Sequence, residues 1–233
     1  TMLVAFPTMV GGAKAVSAII RGKVVPSTLE IIDRVSIRCV EEYKKAGLPD
    51  VEAMLLIEVD GPKDGIERDC ATVEAICREY GATEFQAAEG KDEVKKLWEA
   101  RRSISASLYR IKPNKINEDI VVPRSKIAEL VEGLGRISKD RGVLIASFGH
   151  AGDGNIHVNV MYDKKNESES AAAEAAVVDV FKLTLDLSGT ISGEHGVGTA
   201  KQKYLEMELT PAVIEAMKSI KSALDPKGVL NPG

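Results

Sequence analysis

Aromatic side chains make up only 4% of the 233 residues, tryptophan occurs once, and histidine occurs three times. Scarce aromatics leave little surface on which bases could stack, and a net charge of -4 with a pI near 5.6 gives no overall pull toward phosphate backbones or anionic lipid. Nucleic-acid binding is therefore disfavoured. Cysteine is equally sparse. Cys39, Cys70 and Cys77 are odd in number and lack CxxC spacing. They read as reduced thiols of a cytoplasmic-type compartment rather than a disulfide framework or zinc knuckle. No apolar run approaches membrane-spanning length and no signal peptide opens the chain, so a soluble protein is expected. No Gly-x-Gly-x-x-Gly follows a strand pattern, so a dinucleotide fingerprint is missing. The first residue is Thr1 rather than an initiator methionine, which fits a segment of something longer.

What is present is a normal apolar fraction, 44%, enough for one large domain or two small ones. Periodicity alternates between strand and helix. Strands are expected over residues 3–6, 29–32, 53–59, 83–88 and 120–122. Helices are expected over 12–21, 33–46 with Asp33 as cap, 65–80, 92–109, 126–141 and 171–187, then 199–206 and 211–224 in the tail. Residues 111–119 read as a polar loop. The order resembles two strand-helix-strand units in series, predicting an α+β fold with an antiparallel sheet and helices on one side.

All the imidazole lies in two glycine-rich motifs. In the first, an apolar run over 142–148 and an alternating run over 156–162 flank Gly149, His150, Ala151, Gly152, Asp153, Gly154 and Asn155, the pattern of two strands joined by a tight turn. A strand shows alternate side chains on one face, so His157 and Asn159 point the same way, and His150 can reach that face. The second motif runs Ser192, Gly193, Glu194, His195, Gly196, Val197, Gly198. Glu194 would complete a two-histidine, one-carboxylate set that leaves open positions on a divalent ion. The competing reading is a plain hairpin, since Asp153-Gly154 is a common turn pair. Confining histidine to two turns favours chemistry if those turns meet. Arg101 and Ser105, at i and i+4 on a helix, form a candidate carboxylate clamp. Lys115 and Arg124 flank the short strand at 120–122, where a solvated surface charge is the commoner fate.

The run from His150 to His157, the Ser192 to Gly198 motif and the closing Leu224, Asp225, Pro226, Lys227, Gly228, Val229, Leu230, Asn231, Pro232 together resemble the C-terminal domain of FAD-linked oxidases. This is the vanillyl-alcohol oxidase and p-cresol methylhydroxylase superfamily, in the branch with glycolate oxidase flavin subunits and D-lactate and D-2-hydroxyglutarate dehydrogenases. Leu97, Trp98, Glu99, Ala100 and Arg101, and the stretch from Lys115 to Pro123, extend the likeness over nearly the whole chain. It implies that residues 1–233 form a ferredoxin-like substrate cap, with the FAD-binding domain outside this chain. By that resemblance His150, His157 and Glu194 ligate a divalent metal such as zinc, and His195 is the catalytic base. Arg101 holds a substrate carboxylate beside Ser105, Asn159 contacts substrate, and Asn231 lies toward the flavin. Lys115 matches a loop lysine of some relatives only after a register shift.

The implied activity is FAD-dependent oxidation of a small 2-hydroxy acid, glycolate or D-lactate, by a chain that is inactive alone. The implied partners are an FAD-binding domain of the same enzyme and an iron-sulfur subunit through which the protein could sit at the membrane periphery. The alternative is a stand-alone metal-dependent ligand-binding or assembly module without redox activity.

Overall fold

Two plaits built on the same plan share one sheet in the computed structural model, which describes residues 1–88 and 90–232. The first comprises β1 (Met2–Phe6), α1 (Met9–Arg21), β2 (Thr28–Asp33), α2 (Arg34–Lys44), β3 (Ala53–Glu58), α3 (Lys63–Glu79) and β4 (Glu84–Ala87). After α4 (Lys91–Ser107) the second comprises β5 (Asn114–Val121), α5 (Ile127–Arg141), β6 (Leu144–His150), β7 (Asn155–Tyr162) and α6 (Glu167–Asp186). The tail carries α7 (Leu205–Glu208) and α8 (Pro211–Leu224).

The seven strands lie in the order β4-β1-β3-β2-β6-β7-β5, and every pairing is antiparallel. The first half has the ferredoxin-like order 4-1-3-2. The second mirrors it, with the fourth strand reduced to a bridge between Val121 and Thr190 on the outer edge of β5. The α+β class and the two units in series are thus as the sequence implied. The Thr190 bridge also ties the segment leading into the second histidine motif to β5.

The helices cover both faces rather than one. Apolar residues of α1, α3, α5 and α6 join Val4, Ile31, Leu55, Val158 and Phe181 in one core, while α2 and α4 pack with Leu3, Ile32, Leu56, Ile104 and Phe148 in a second. β3 carried the sign: Ala53, Met54, Leu55, Leu56 and Ile57 are consecutive buried apolar residues, the pattern of a strand covered on both sides. Asp33 caps α2 as expected, accepting from Ser36 N at 2.8 Å, and its other oxygen accepts from Ser147 N at 2.5 Å, tying that helix to β6. Burial pushes the Asp33 carboxyl above its ordinary pKa.

Residues 111–119 are not the polar loop that their composition suggested. Most of this stretch is strand β5, paired with β7 from Asn114 opposite Tyr162 to Val121 opposite Asn155. Ile116 and Ile120 face the larger core, whereas Lys115, Asn117 and Asp119 face the other side, so the strand's polarity hid its pairing. The tail helix expected over 199–206 is a short 3-10 turn and then α7.

Phe181 of α6 is fully buried and meets the Tyr204 ring edge-on at 4.9 Å. Phe181→Ala is expected to destabilise the fold by about 3–5 kcal/mol through lost transfer energy and a residual cavity. Urea unfolding monitored by circular dichroism checks this; a loss under about 1 kcal/mol would mean that the second plait can collapse around the gap.

Candidate metal and substrate site

The β6-β7 hairpin turns through residues 151–154, and Gly154 adopts φ +79°. Its backbone is hemmed in: a Cβ on Gly154 would stand 2.0 Å from Val122 O. The hairpin puts His150 at the end of β6 and His157 near the start of β7, on the face covered by α2 and α4. His157 is opposite Phe148 in one direction and Asp119 in the other, and His150 is opposite Glu30. Asp119 Oδ2 accepts from Gly193 N at 2.9 Å and His195 N at 2.8 Å, so the second motif is laced onto β5 by a carboxylate. On the opposite face of β5, buried Lys201 donates to the carbonyls of Asp119 and Ile191 at 2.9 and 2.7 Å and lies 3.5 Å from Glu118.

The two motifs therefore meet. His157 Nε2 lies 3.3 Å and His150 Nε2 3.6 Å from the same oxygen of Glu194. Donor atoms of His150, His157 and Glu194 all lie within 4.8 Å of one another, as do those of Asp119, His157 and His195. Two imidazole nitrogens and one carboxylate oxygen fit a borderline divalent ion such as zinc, with positions left over for water or substrate. Asp119 is the poorer donor, because both its oxygens already accept hydrogen bonds, Oδ1 from Asn155 Nδ2 at 2.6 Å. The His195 ring stacks on His157 at 5.3 Å and is about half exposed.

Sequence reasoning missed Glu30. Buried on β2 at 2% exposure, it takes a short hydrogen bond from His150 Nδ1 through Oε1 and bonds from Arg101 Nε at 2.7 Å and Nη2 at 2.6 Å through Oε2. Burial raises its pKa, but the bonds and charges of His150 and Arg101 outweigh that and hold it below the ordinary value. Glu30 in turn raises the His150 pKa, whereas burial lowers that of His157. A charged residue inside the apolar strand Leu29, Glu30, Ile31, Ile32 was the available signal, since lone acids are almost never fully buried unpaired. Asp119 and Asn155 were also missed, the former because its strand read as loop.

The proposed clamp divides. Arg101 lies over the Phe148 ring at 4.7 Å beside Glu30, while Ser105 accepts from Lys115 Nζ at 2.6 Å further along the seam between α4 and the sheet. Burial lowers the Lys115 pKa. Asn159 shares the His157 face but is fully buried, and its Oδ1 lacks a hydrogen-bond partner among the described residues. Arg124 reaches Gly152 O at 3.1 Å. A groove of about 460 Å³ opens beside His150, lined among others by Glu30, Trp98, Arg101, Arg102 and Arg124. Asn231 lies apart in the exposed tail at φ +47°, beyond the loop that Asp225 closes by accepting from Val229 N and Leu230 N.

The family description "FAD linked oxidases, C-terminal domain" matches residues 1–233. The chain belongs to that family. It is 44% identical over its full length to the glycolate oxidase subunit GlcD of Bacillus subtilis, covering 50% of that protein. Identity is 34% to the Escherichia coli K12 protein of the same name, with 47% of it covered. A mitochondrial D-lactate dehydrogenase [cytochrome] of Arabidopsis thaliana is 32% identical over 98% of the chain and 40% of its own length. The chain thus spans about half the length of the curated relatives it matches. Among solved structures, p-cresol methylhydroxylase with substrate bound superposes with a TM-score of 0.75 at 13% identity, covering 99% of this chain and 51% of that one. That likeness establishes the shared fold. Among the described residues no helix is long and apolar enough to cross a membrane.

Proposed function

We propose that this chain is the substrate- and metal-binding part of an FAD-dependent 2-hydroxy-acid dehydrogenase or oxidase of the glycolate or D-lactate type. The flavin is held by a domain outside residues 1–233. The observation that carries this reading is the convergence of His150 Nε2 and His157 Nε2 on one Glu194 oxygen, with Arg101 linked to His150 through Glu30, in a family whose relatives include a glycolate oxidase subunit. The exposed stripe of Val213, Met217, Ile220 and Leu224 along α8 is the apolar face on which we place the FAD-binding domain.

Oxidising a 2-hydroxy acid removes a proton from the hydroxyl and a hydride from the α-carbon. His150, His157 and Glu194 would hold a divalent ion that would make the hydroxyl more acidic, and a bound flavin would supply the hydride acceptor. The chain's own residues do the rest. Arg101 spends Nε and Nη2 on Glu30, which leaves further N–H donors of the guanidinium for the substrate carboxylate. His195, half exposed beside Glu194, accepts the hydroxyl proton. Ser105 and Lys115, joined by a hydrogen bond between α4 and β5, are assigned to the substrate side of the site, while Asn159, fully buried, lies in its floor. Asn231 belongs to the flavin side of the interface.

The test is metal analysis of the purified chain with calorimetric titration of D-lactate and glycolate, then assay with and without the flavoprotein portion. We expect near-stoichiometric divalent metal, hydroxy-acid binding weakened by about 1.5–3 kcal/mol in Arg101→Met, and turnover only when flavin is supplied. Turnover by the chain alone, or a metal-free wild type that binds no hydroxy acid, would overturn the reading.

A further inference from the structure

Each of the two histidines assigned as ligands has a buried carboxylate opposite it on the neighbouring strand. His150 is the register partner of Glu30 in the β2-β6 pairing, and His157 is the register partner of Asp119 in the β5-β7 pairing. In both cases the acid lies toward Nδ1 and Glu194 toward Nε2. Glu30 Oε1 is hydrogen-bonded to His150 Nδ1, while the buried His157 Nδ1 stands 3.9 Å from Asp119 Oδ1, beyond hydrogen-bond reach, and has no other partner among the described residues; Oδ1 itself accepts from Asn155 Nδ2. Glu30 and Asp119 are 2% and 0% exposed, so neither is a surface acid that happens to lie near.

We propose that Glu30 and Asp119 are the two positioning residues of the ion site: Glu30 holds His150 through Nδ1 so that its Nε2 faces the ion, and Asp119, behind His157, holds the backbone on either side of Glu194 so that this carboxylate meets both Nε2 atoms. The assignment rests on the metal reading above and extends it to residues outside the ligand set. Neutral imidazole carries one N–H; at His150 the Glu30 acceptor keeps it on Nδ1 and leaves the Nε2 lone pair free to ligate. The sheet supplies the geometry, because directly opposed side chains in an antiparallel pair have Cβ atoms only about 4.5–5.5 Å apart.

Each acid also has a second task, and the tasks differ. Glu30 holds Arg101 through its other oxygen, so the group proposed to bind the substrate carboxylate and the first metal ligand hang from one side chain. Asp119 holds the backbone of Gly193 and His195 through Oδ2, so it sets the position of the third ligand, Glu194. Loss of Glu30 should therefore loosen both metal and hydroxy-acid binding, and loss of Asp119 should loosen metal binding through Glu194.

The experiment is a competition titration of zinc into the purified wild-type chain and into Glu30→Gln, Glu30→Ala, Asp119→Asn and the surface control Glu215→Gln. It is accompanied by circular dichroism without metal and by long-range ¹⁵N NMR of the histidine rings in the metal-free proteins. Expected are a zinc affinity about 10- to 100-fold weaker in the Glu30 and Asp119 variants and unchanged in the control. The His150 ring should be Nδ1-protonated when neutral in the wild type and should lose that preference in Glu30→Ala. Asp119→Asn carries the larger folding risk because it holds a loop, and Glu30→Gln, which keeps size and shape, decides if that variant unfolds. Wild-type zinc affinity in folded Glu30→Gln and Glu30→Ala overturns the proposal while leaving the metal site standing. A wild type that takes up no zinc, cobalt or manganese overturns both.

Discussion

Replacing His157 with alanine should reduce bound divalent metal from near one equivalent per chain to near none while leaving the fold intact. His157 is the most deeply placed of the three proposed ligands, with its side chain 9% exposed against 40% for His150 and 50% for Glu194. Its Nε2 is also the closer of the two ring nitrogens to the Glu194 oxygen. Removing an inner ligand should cost more than the roughly 10- to 100-fold expected for an outer partner, so affinity should fall beyond about 100-fold. The fold survives because the neighbour left behind is not stranded: Asp119 keeps its bonds from Asn155, Gly193 and His195, and although burial raises its pKa, the His195 amide, the Asn155 amide and the charges of His195 and Lys201 hold it below the ordinary value. The cost to stability is then mainly the gap against Phe148 and the lost stack with His195, about 1–3 kcal/mol. Mass-spectrometric metal analysis and urea unfolding of the variant read the two effects separately. A folded His157→Ala that retains near-stoichiometric metal would remove His157 from the ligand set and with it the geometry on which the functional reading stands.

How much of the site is legible in the sequence depends on how local each signal is. The hairpin carrying His150 and His157 was readable because its strands, its turn glycines and its alternation all lie within about twenty residues, and the structure keeps every one of them. Asp33 was readable as a cap for the same reason, being three residues from the amide it accepts from. Glu194 could be nominated by type, yet nothing in the order of residues says that its loop lies against β5. That contact depends on Thr190 bridging Val121 and on Asp119 reaching Gly193, a sequence separation of 74. Glu30 is the sharper case, since it meets His150 across 120 residues through a strand pairing that joins the two plaits. The misread loop at 111–119 has the same origin. Polar side chains on one face of β5 serve the site, buried Glu118 on the other is matched by Lys201, and a strand that is polar on both faces has no period to read. Tertiary pairing therefore supplied both what the site needed and what the pattern concealed.

The glycines of the second motif separate two demands that sequence alone cannot distinguish, and this yields the other large effect. Gly193 has no left-handed backbone to require glycine, but a Cβ there would stand 2.0 Å from Asn155 Nδ2, 2.7 Å from Asp119 Oδ1 and 3.0 Å from Val121 Cγ2. Gly196 is the reverse, at φ +76° with open space around its would-be Cβ. Gly196→Ala should therefore cost only the left-handed strain, about 1–2 kcal/mol, with zinc affinity near wild type. In Gly193→Ala something must move, and nothing nearby moves cheaply. Asn155 is buried and bonded to Asp119 at 2.6 Å, so displacing it exposes a buried carboxylate to a lost partner, while displacing the loop breaks the Gly193 and His195 amide bonds and carries Glu194 away from the histidines. Either route costs about 2–4 kcal/mol of stability by overpacking and a broken buried hydrogen bond, and the second also removes a ligand. Side-by-side urea unfolding and zinc titration of the two variants test this. Tight zinc binding in Gly193→Ala comparable to Gly196→Ala would mean that Glu194 is not held in place by the packing of its loop on β5, and that Asp119 is dispensable for presenting it.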